Sequence, residues 1–358
     1  MCSERSVSRR AATAALLVLT PLALAACGKK GDPVPPARAI PQTVSDLVLR
    51  QRGDRVLLEF THPKTTAAGL PLSGLASVTL LELAKPAPPE GQPVAVLPAE
   101  LVGAKPIVEL TDQALTGAFV GDRVRVETAL PSPPPEPPAA RVYTVRMRAI
   151  EGELSDFSNV ATLVPKPAPE APADLEARAE KAGVALSWSA SPGATAGYAV
   201  YRRSAESTDW GAPTAIVPPE ATWYSDRTAR YGERYVYTVL ALAQAEPPIE
   251  SAPRAEREID YRDRFAPETP AGLRAVALPG EVRLLWEASP DADTAGYRLE
   301  RAIGDGEWTA ATAAPVTGLE HSDPSPAATG ERVRYRVIAI DGEGNASAPS
   351  EEAEVRLP

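Results

Sequence analysis

The stretch Val184-Ala-Leu-Ser-Trp188 returns 98 residues later as Val282-Arg-Leu-Leu-Trp286. In both, apolar side chains fill every second position, the period of a strand with one buried face, and β-branched and aromatic residues suit that pleated surface. The surroundings repeat too. Pro172-Ala-Asp-Leu175 answers to Pro270-Ala-Gly-Leu273, and Ala190-Ser-Pro192 with Gly197-Tyr198 to Ala288-Ser-Pro290 with Gly296-Tyr297. Downstream, Tyr224-Ser-Asp226, Gly232-Glu-Arg234 and Tyr237-Thr-Val239 answer to His321-Ser-Asp323, Gly330-Glu-Arg332 and Tyr335-Arg-Val337. The offsets stay between 97 and 99, so this unit of the chain is duplicated.

Helical periodicity is absent from these blocks. Several alternating strands separated by Pro, Gly, Asp and Ser turns within each unit predict an all-β fold of two-sheet antiparallel sandwiches. An early Trp, a Gly-Tyr and a late Tyr-x-Val-x-Ala strand resemble the fibronectin type III domain. That resemblance implies immunoglobulin-like sandwiches in which Trp188 and Trp286 fill the core between the sheets, and in which Tyr237 and Tyr335 are structural core residues making a corner hydrogen bond. A degenerate copy lies upstream: Val56-Leu-Leu-Glu-Phe60 matches the early strand with Phe60 in place of Trp, and Tyr143-Thr-Val-Arg-Met-Arg-Ala149 matches the late one. Phe60 to Tyr143 spans 83 residues where the other copies span 49, leaving 34 extra residues. They are expected in the proline-rich segments 85–106 and 131–138, where central strand structure is excluded.

The organisation read from this pattern is a leader at 1–26, a tether at 27–40, and sandwiches at 41–165, 166–264 and 265–358. The joins, Pro165-Lys-Pro-Ala-Pro-Glu-Ala-Pro172 and Phe265-Ala-Pro-Glu-Thr-Pro270, read as semi-rigid spacers, so an elongated rod is expected.

Met1 to Arg10 is a basic n-region and Ala11 to Ala26 a short apolar run, too short and too interrupted for a spanning helix. The run ends in Leu24-Ala-Ala-Cys27, which resembles the lipobox of bacterial lipoproteins. The resemblance implies cleavage before Cys27, a diacylglyceryl thioether on its sulfur and acylation of the new amine. Arg9-Arg10 raises the twin-arginine route, but Ala11-Ala12-Thr13 lacks that route's large apolar residues and favours general secretion. The next residues, Gly28, Lys30 and Gly31, resemble the amino end of small lipoproteins that assist lipopolysaccharide export; Asp32 departs from that pattern. Gly28, not Asp, after Cys27 points by the lipoprotein family's sorting rule to the outer membrane.

Composition bounds the chemistry. The 358 residues hold two Cys and two His, too few for a Cys/His zinc cluster or a disulfide scaffold, and a net charge of -10 argues against nucleic-acid binding. Removing the leader takes the charge to -12 and leaves no free thiol if Cys27 is acylated. His321-Ser-Asp323 contains triad residue types, yet His321 occupies the slot of Tyr224 in the other copy, and neighbours on a strand face opposite ways. His62, before Pro63, reads as a loop residue with no partner. Asp291 and Asp293 read as a solvated turn, short of the oxygens calcium needs. Arg52-Gly53-Asp54 reads as the turn between the first two strands, not as an adhesion motif.

No catalytic, metal or cofactor residue is assigned. The expectation is a non-enzymatic lipoprotein anchored through Cys27 in the cell envelope, at the outer membrane, whose sandwiches form a binding or spacer array for protein or polysaccharide partners. The alternative is an assembly factor for outer-membrane machinery acting through the lipidated amino-terminal segment.

Overall fold

The computed structural model describes residues 39–131, 136–150, 152–324 and 327–358. Cys27 and the leader, together with Gly28, Lys30 and Gly31, lie outside the described residues. The remainder forms three tandem fibronectin type III-like β-sandwiches.

The first contains β1 (Val48–Arg52), β2 (Arg55–Thr61), β3 (Leu75–Pro86), β4 (Lys105–Thr111), a short helix α1 (Asp112–Gly117), β5 (Phe119–Val120), β6 (Arg123–Ala129), β7 (Ala139–Ala149) and β8 (Ala161–Leu163). Strands β1-β2-β6-β5 make one layer and β4-β3-β7-β8 the other. Alternation in β2 turns Val56, Leu58 and Phe60 inward, where they meet Val78 and Leu80 of β3 and Tyr143, Val145 and Met147 of β7. Phe60 and Tyr143 are both buried, and burial together with Glu82 raises the Tyr143 phenol above its ordinary pKa.

The second contains β9 (Ala173–Glu180), β10 (Gly183–Ser189), β11 (Gly197–Ser204), β12 (Ala215–Val217), β13 (Trp223–Asp226), β14 (Glu233–Ala245), β15 (Pro248–Glu250) and β16 (Arg257–Tyr261). Its layers are β13-β10-β9 and β12-β11-β14, with β15 and β16 both on β14. The third repeats this with β17 (Arg274–Leu278), β18 (Glu281–Leu285), β19 (Thr294–Ile303), β20 (Thr309–Ala310), β21 (Glu320–Asp323), β22 (Arg332–Asp341) and β23 (Ala353–Arg356). They pair as β17-β18-β21 and β20-β19-β22-β23. Trp188 and Trp286 lie between the layers, each against the next tyrosine, with ring centroids 5.5 Å (Tyr198) and 5.6 Å (Tyr297) apart.

The duplication extends to polar contacts that the strand pattern does not announce. Tyr198 and Tyr297 accept hydrogen bonds from the Ser191 and Ser289 amides at 2.8 and 3.0 Å, and the two serine hydroxyls reach the Glu170 and Glu268 carbonyls. The expected corner hydrogen bond is replaced by another. The Tyr237 hydroxyl donates to Asp226 Oδ2 at 2.8 Å and that of Tyr335 to Asp323 Oδ2 at 3.0 Å, across the core to the end of β13 or β21. A buried carboxylate must collect donors, and the tyrosine inside the sandwich is one of them.

The insertions of the first sandwich also differ from expectation. The two proline-rich segments are drawn together where the Ala87 amide donates to the Pro138 carbonyl at 3.2 Å. Additional length lies in the β2–β3 connection, residues 62–74, whereas β10 and β11 are joined by residues 190–196 alone. That longer connection is closed by bridges between Thr65 and Pro71 and between Pro41 and Thr66, so it forms a defined loop.

Trp286→Ala removes the largest side chain between the third pair of layers. It is expected to cost about 3–5 kcal/mol, lowering the transition of the third sandwich in a calorimetric scan while the transition of the first two stays in place.

Candidate functional site

The feature that sets this chain apart from a simple row of sandwiches is the junction of the first two. Strand β1 pairs in parallel with β15, Gln51 opposite Ile249 and Arg52 opposite Glu250, so a layer of each sandwich joins into one nine-stranded sheet. Ile249, fully buried, belongs to the apolar cluster of the first sandwich although its strand belongs to the second. The proline-rich join does not hold the two apart. Gln51 Nε2 donates to the Lys166 carbonyl at 2.6 Å and Lys166 Nζ to Gln244 Oε1 at 2.9 Å, stitching the start of the join to both sides. The rod with a proline spacer at this joint is therefore corrected. The edge of β1 offers unpaired backbone groups, and β15 satisfies them more fully than an extended linker leaves them.

At the centre of the junction is Glu250, whose side chain is 2% exposed. Arg52 Nε donates to it at 2.8 Å, Arg50 Nη1 lies 4.0 Å away, and the Tyr201 hydroxyl donates to its other oxygen. Arg50 also donates to the Tyr201 hydroxyl at 2.7 Å, and the Arg52 guanidinium lies 4.8 Å from the Tyr201 ring centroid. Burial opposes the Arg50 charge, but Tyr201, Glu250 and Glu59 outweigh it and raise the guanidinium pKa. Burial, reinforced by Glu250, raises that of Tyr201. Further along the contact Arg125 joins Glu59 at 2.7 Å to Asp209 of the second sandwich.

Beneath these charges lies a second apolar layer. Ala199, Tyr201, Leu240 and Leu242 are buried on the face of β11 and β14 that points away from the Tyr198, Val200, Val239 and Ala241 core. Trp210, folded back from the β11–β12 loop, packs against them and lies under Arg203, 4.7 Å from its ring. The matching positions of the third sandwich are Arg298, Glu300, Ile338 and Ile340, and its Trp308 sits between Arg334 and Arg336 at 5.0 and 4.3 Å. The two copies thus differ on the outer face of β11 and β19, apolar at Ala199 and Tyr201 where the first sandwich docks and charged at Arg298 and Glu300, while the β14 and β22 positions stay apolar in both.

The residues singled out from sequence fall as follows. Arg52 of the Arg-Gly-Asp turn is held by Glu250, and the Gly53 amide donates to the Glu250 carbonyl at 3.0 Å. Gly53 has φ +59°, and a Cβ there would stand 3.3 Å from that of Ala252, so the turn is built for close docking. The turn at Asp291 and Asp293 is present with Asp293 exposed in it, but Asp291 is engaged: it accepts from Lys181 Nζ at 2.6 Å and from the Glu268 amide, bridging the second and third sandwiches. Its pKa is lowered by the Lys181 hydrogen bond first and that amide second. His321 lies in register with Leu284 as Tyr224 does with Leu186, while Asp323 binds Arg301 and Tyr335, so the triad types do not converge. His62 packs edge-on against Phe119 at 4.8 Å, with Nδ1 buried, and burial followed by Lys64 lowers its pKa. Among the described residues no group of three or more His, Cys, Asp or Glu gathers as a metal site.

No family model matches the chain, and no curated protein matches it. Solved structures do. The chain is similar to the FN1-FN3 domains of chicken CNTN1, at 13% identity over 88% of this chain and 99% of that one, with a TM-score of 0.27. It is similar to a two-domain fibronectin type III segment of chicken tenascin, at 14% identity over 52% and 100%, with a TM-score of 0.36. A Fn3-like protein from Clostridium thermocellum matches at 30% identity over 26% and 96%, with a TM-score of 0.23. The wiring of the strands, rather than these overall figures, carries the fibronectin type III-like fold.

Glu250→Gln removes the charge that Arg50 and Arg52 share, leaving two guanidinium groups poorly compensated. Breaking a buried pair in this way is expected to cost about 3–5 kcal/mol. Hydrogen exchange should quicken at residues 48–53 and 248–250 while residues 333–339 of the third sandwich keep their protection.

Proposed function

We propose that this chain is a non-enzymatic lipoprotein of the cell envelope, anchored through lipid on Cys27 at the outer membrane, whose sandwiches hold a binding surface at a set distance from the bilayer for protein or polysaccharide partners. An array of fibronectin type III-like domains fits a binding or spacer role in general. The observation that carries the proposal is the β1–β15 pairing around Glu250, which makes the two sandwiches next to the tether one body. A spacer transmits position only if its joints resist bending, and a shared sheet resists it far better than a Pro-rich linker.

The anchor rests on the sequence from Arg9 to Cys27, since no helix among the described residues is long and apolar enough to cross a membrane. Two or three acyl chains on one cysteine hold a protein stably, whereas a single chain is marginal. The 13 residues from Gly28 to Ile40, rich in proline, span about 40 Å when extended as polyproline II.

Wild-type protein should be found in the membrane fraction, with an acylated amino-terminal peptide by mass spectrometry. Cys27→Ser should move it to the soluble fraction; full retention of that variant in the membrane would overturn the anchor.

A further inference from the structure

The described chain starts against a loop whose composition stands apart from the rest of this acidic protein. No charged residue lies between Lys64 and Glu82, and the first part of that interval, Thr65-Thr-Ala-Ala-Gly-Leu-Pro-Leu-Ser73, belongs to the connection from β2 to β3. The Gln42 amide donates to the Thr65 carbonyl at 3.0 Å, and the Ala67 amide to the Ile40 carbonyl at 2.8 Å. The chain leading back to Cys27 therefore leaves the first sandwich alongside this loop.

The loop turns apolar groups to the outside. Leu70 is 50% exposed, Ala67, Ala68 and Pro71 are exposed beside it, and Ile150, 62% exposed, is tied to the loop's far end where its amide donates to the Gly74 carbonyl. Much of its backbone is nonetheless satisfied from within. The Thr66 amide donates to the Leu70 carbonyl at 2.7 Å, that of Gly69 to the Thr66 carbonyl at 2.9 Å and that of Leu72 to the Lys64 carbonyl at 3.0 Å. The Leu70 amide donates to Thr66 Oγ1 at 3.1 Å, and Pro71 has no donor to satisfy. Gly69, at φ +78°, lets the chain turn tightly enough to close these bonds. Unbonded amides are what keep ordinary loops out of hydrocarbon, and bare charge is the other barrier. This loop carries no charge at its tip, and of the amides from Thr66 to Leu70 that of Ala68 alone is left to the headgroup region.

We propose that the 65–73 loop, with Ile150 beside it, is a second contact with the bilayer, resting in the boundary between headgroups and acyl chains next to the lipid on Cys27. The inference rests on the lipoprotein reading, because the short tether is what brings the loop to the membrane. An apolar tip at the bilayer turns a point anchor into a two-point one, and two weak attachments in one molecule reinforce each other through effective concentration.

The test uses the full lipidated protein, reconstituted in vesicles of phosphatidylethanolamine and phosphatidylglycerol. Leu70→Cys is labelled with an environment-sensitive fluorophore, and Val276→Cys, exposed on the third sandwich, serves as the control. The Leu70 label should shift to shorter wavelength and be quenched several-fold more by brominated lipid than the Val276 label. Adding Ile150→Asp to the labelled protein should weaken that quenching without releasing the protein. If the protein sediments with the vesicles but the Leu70 label emits as in water, the loop does not touch lipid and the inference falls alone. A label that becomes buried only when envelope proteins are added also overturns it, in favour of a protein partner. If the wild-type chain does not sediment with vesicles at all, the lipoprotein reading falls and takes the inference with it.

Discussion

A carboxylate withdrawn from water has to be surrounded by donors, and this requirement organises the molecule. Asp226, without exposure, accepts from Tyr237, Arg202, the Thr228 amide and the Thr228 hydroxyl. Burial raises its pKa, but these hydrogen bonds and the Arg202 charge outweigh burial and leave the pKa lowered. Its charged form is therefore favoured by folding, a contribution that is present above the ordinary carboxylate range and is lost as pH falls through the lowered value. Asp323 repeats the arrangement with Tyr335 and Arg301. Glu250 applies the same chemistry between sandwiches instead of within one. Without Arg50, Arg52 and Tyr201 around it, the β15 edge would carry an uncompensated charge at the place where β1 adds to the sheet.

The two full copies show how a duplicated unit acquires a joint. Their cores match at most positions, down to the tyrosine hydroxyl that accepts from Ser191 or Ser289, with exchanges such as Val200 for Leu299 and Tyr235 for Val333. Their outer faces do not. Tyr201 has become the floor of a docking surface, while the residue in its place in the third sandwich, Glu300, pairs with Arg336 on an open one. Charged residues on that second face block an equivalent apolar contact, since docking there would bury a ladder of guanidinium groups.

The sandwiches were legible because a strand's period of two is local and the duplication doubled the signal. Trp188, Trp286, Phe60, Tyr143, Tyr237 and Tyr335 stand out for the same reason: each is a large side chain at a regular position, and all are buried. The junction was not legible, because it depends on Arg50 and Glu250, 200 residues apart and individually ordinary. Comparing the copies at outward positions would have exposed it, for Ala199 and Tyr201 against Arg298 and Glu300 is a reversal of polarity on one face. The partner of Tyr237 was hidden differently. The Ser-Asp pair after Tyr224 and His321 is visible as a repeat, but only packing tells that its carboxylate points inward to a hydroxyl across the core.

The two joints between sandwiches differ in kind, and that difference bears on what such an array can do. The first combines strand pairing, a shared apolar cluster and a buried charge network. The second rests on Lys181–Asp291, whose lysine side chain is 39% exposed, on a tilted ring contact of Tyr231 with Phe265 at 6.4 Å between centroids, and on a long bond from Asn345 to the Asp263 carbonyl. Exposed ion pairs contribute little and weaken further with salt, whereas breaking the first joint means separating strands and stranding charges. Bending therefore concentrates at the second joint. The first two sandwiches form the stiffer pair, and the third is joined to them more loosely.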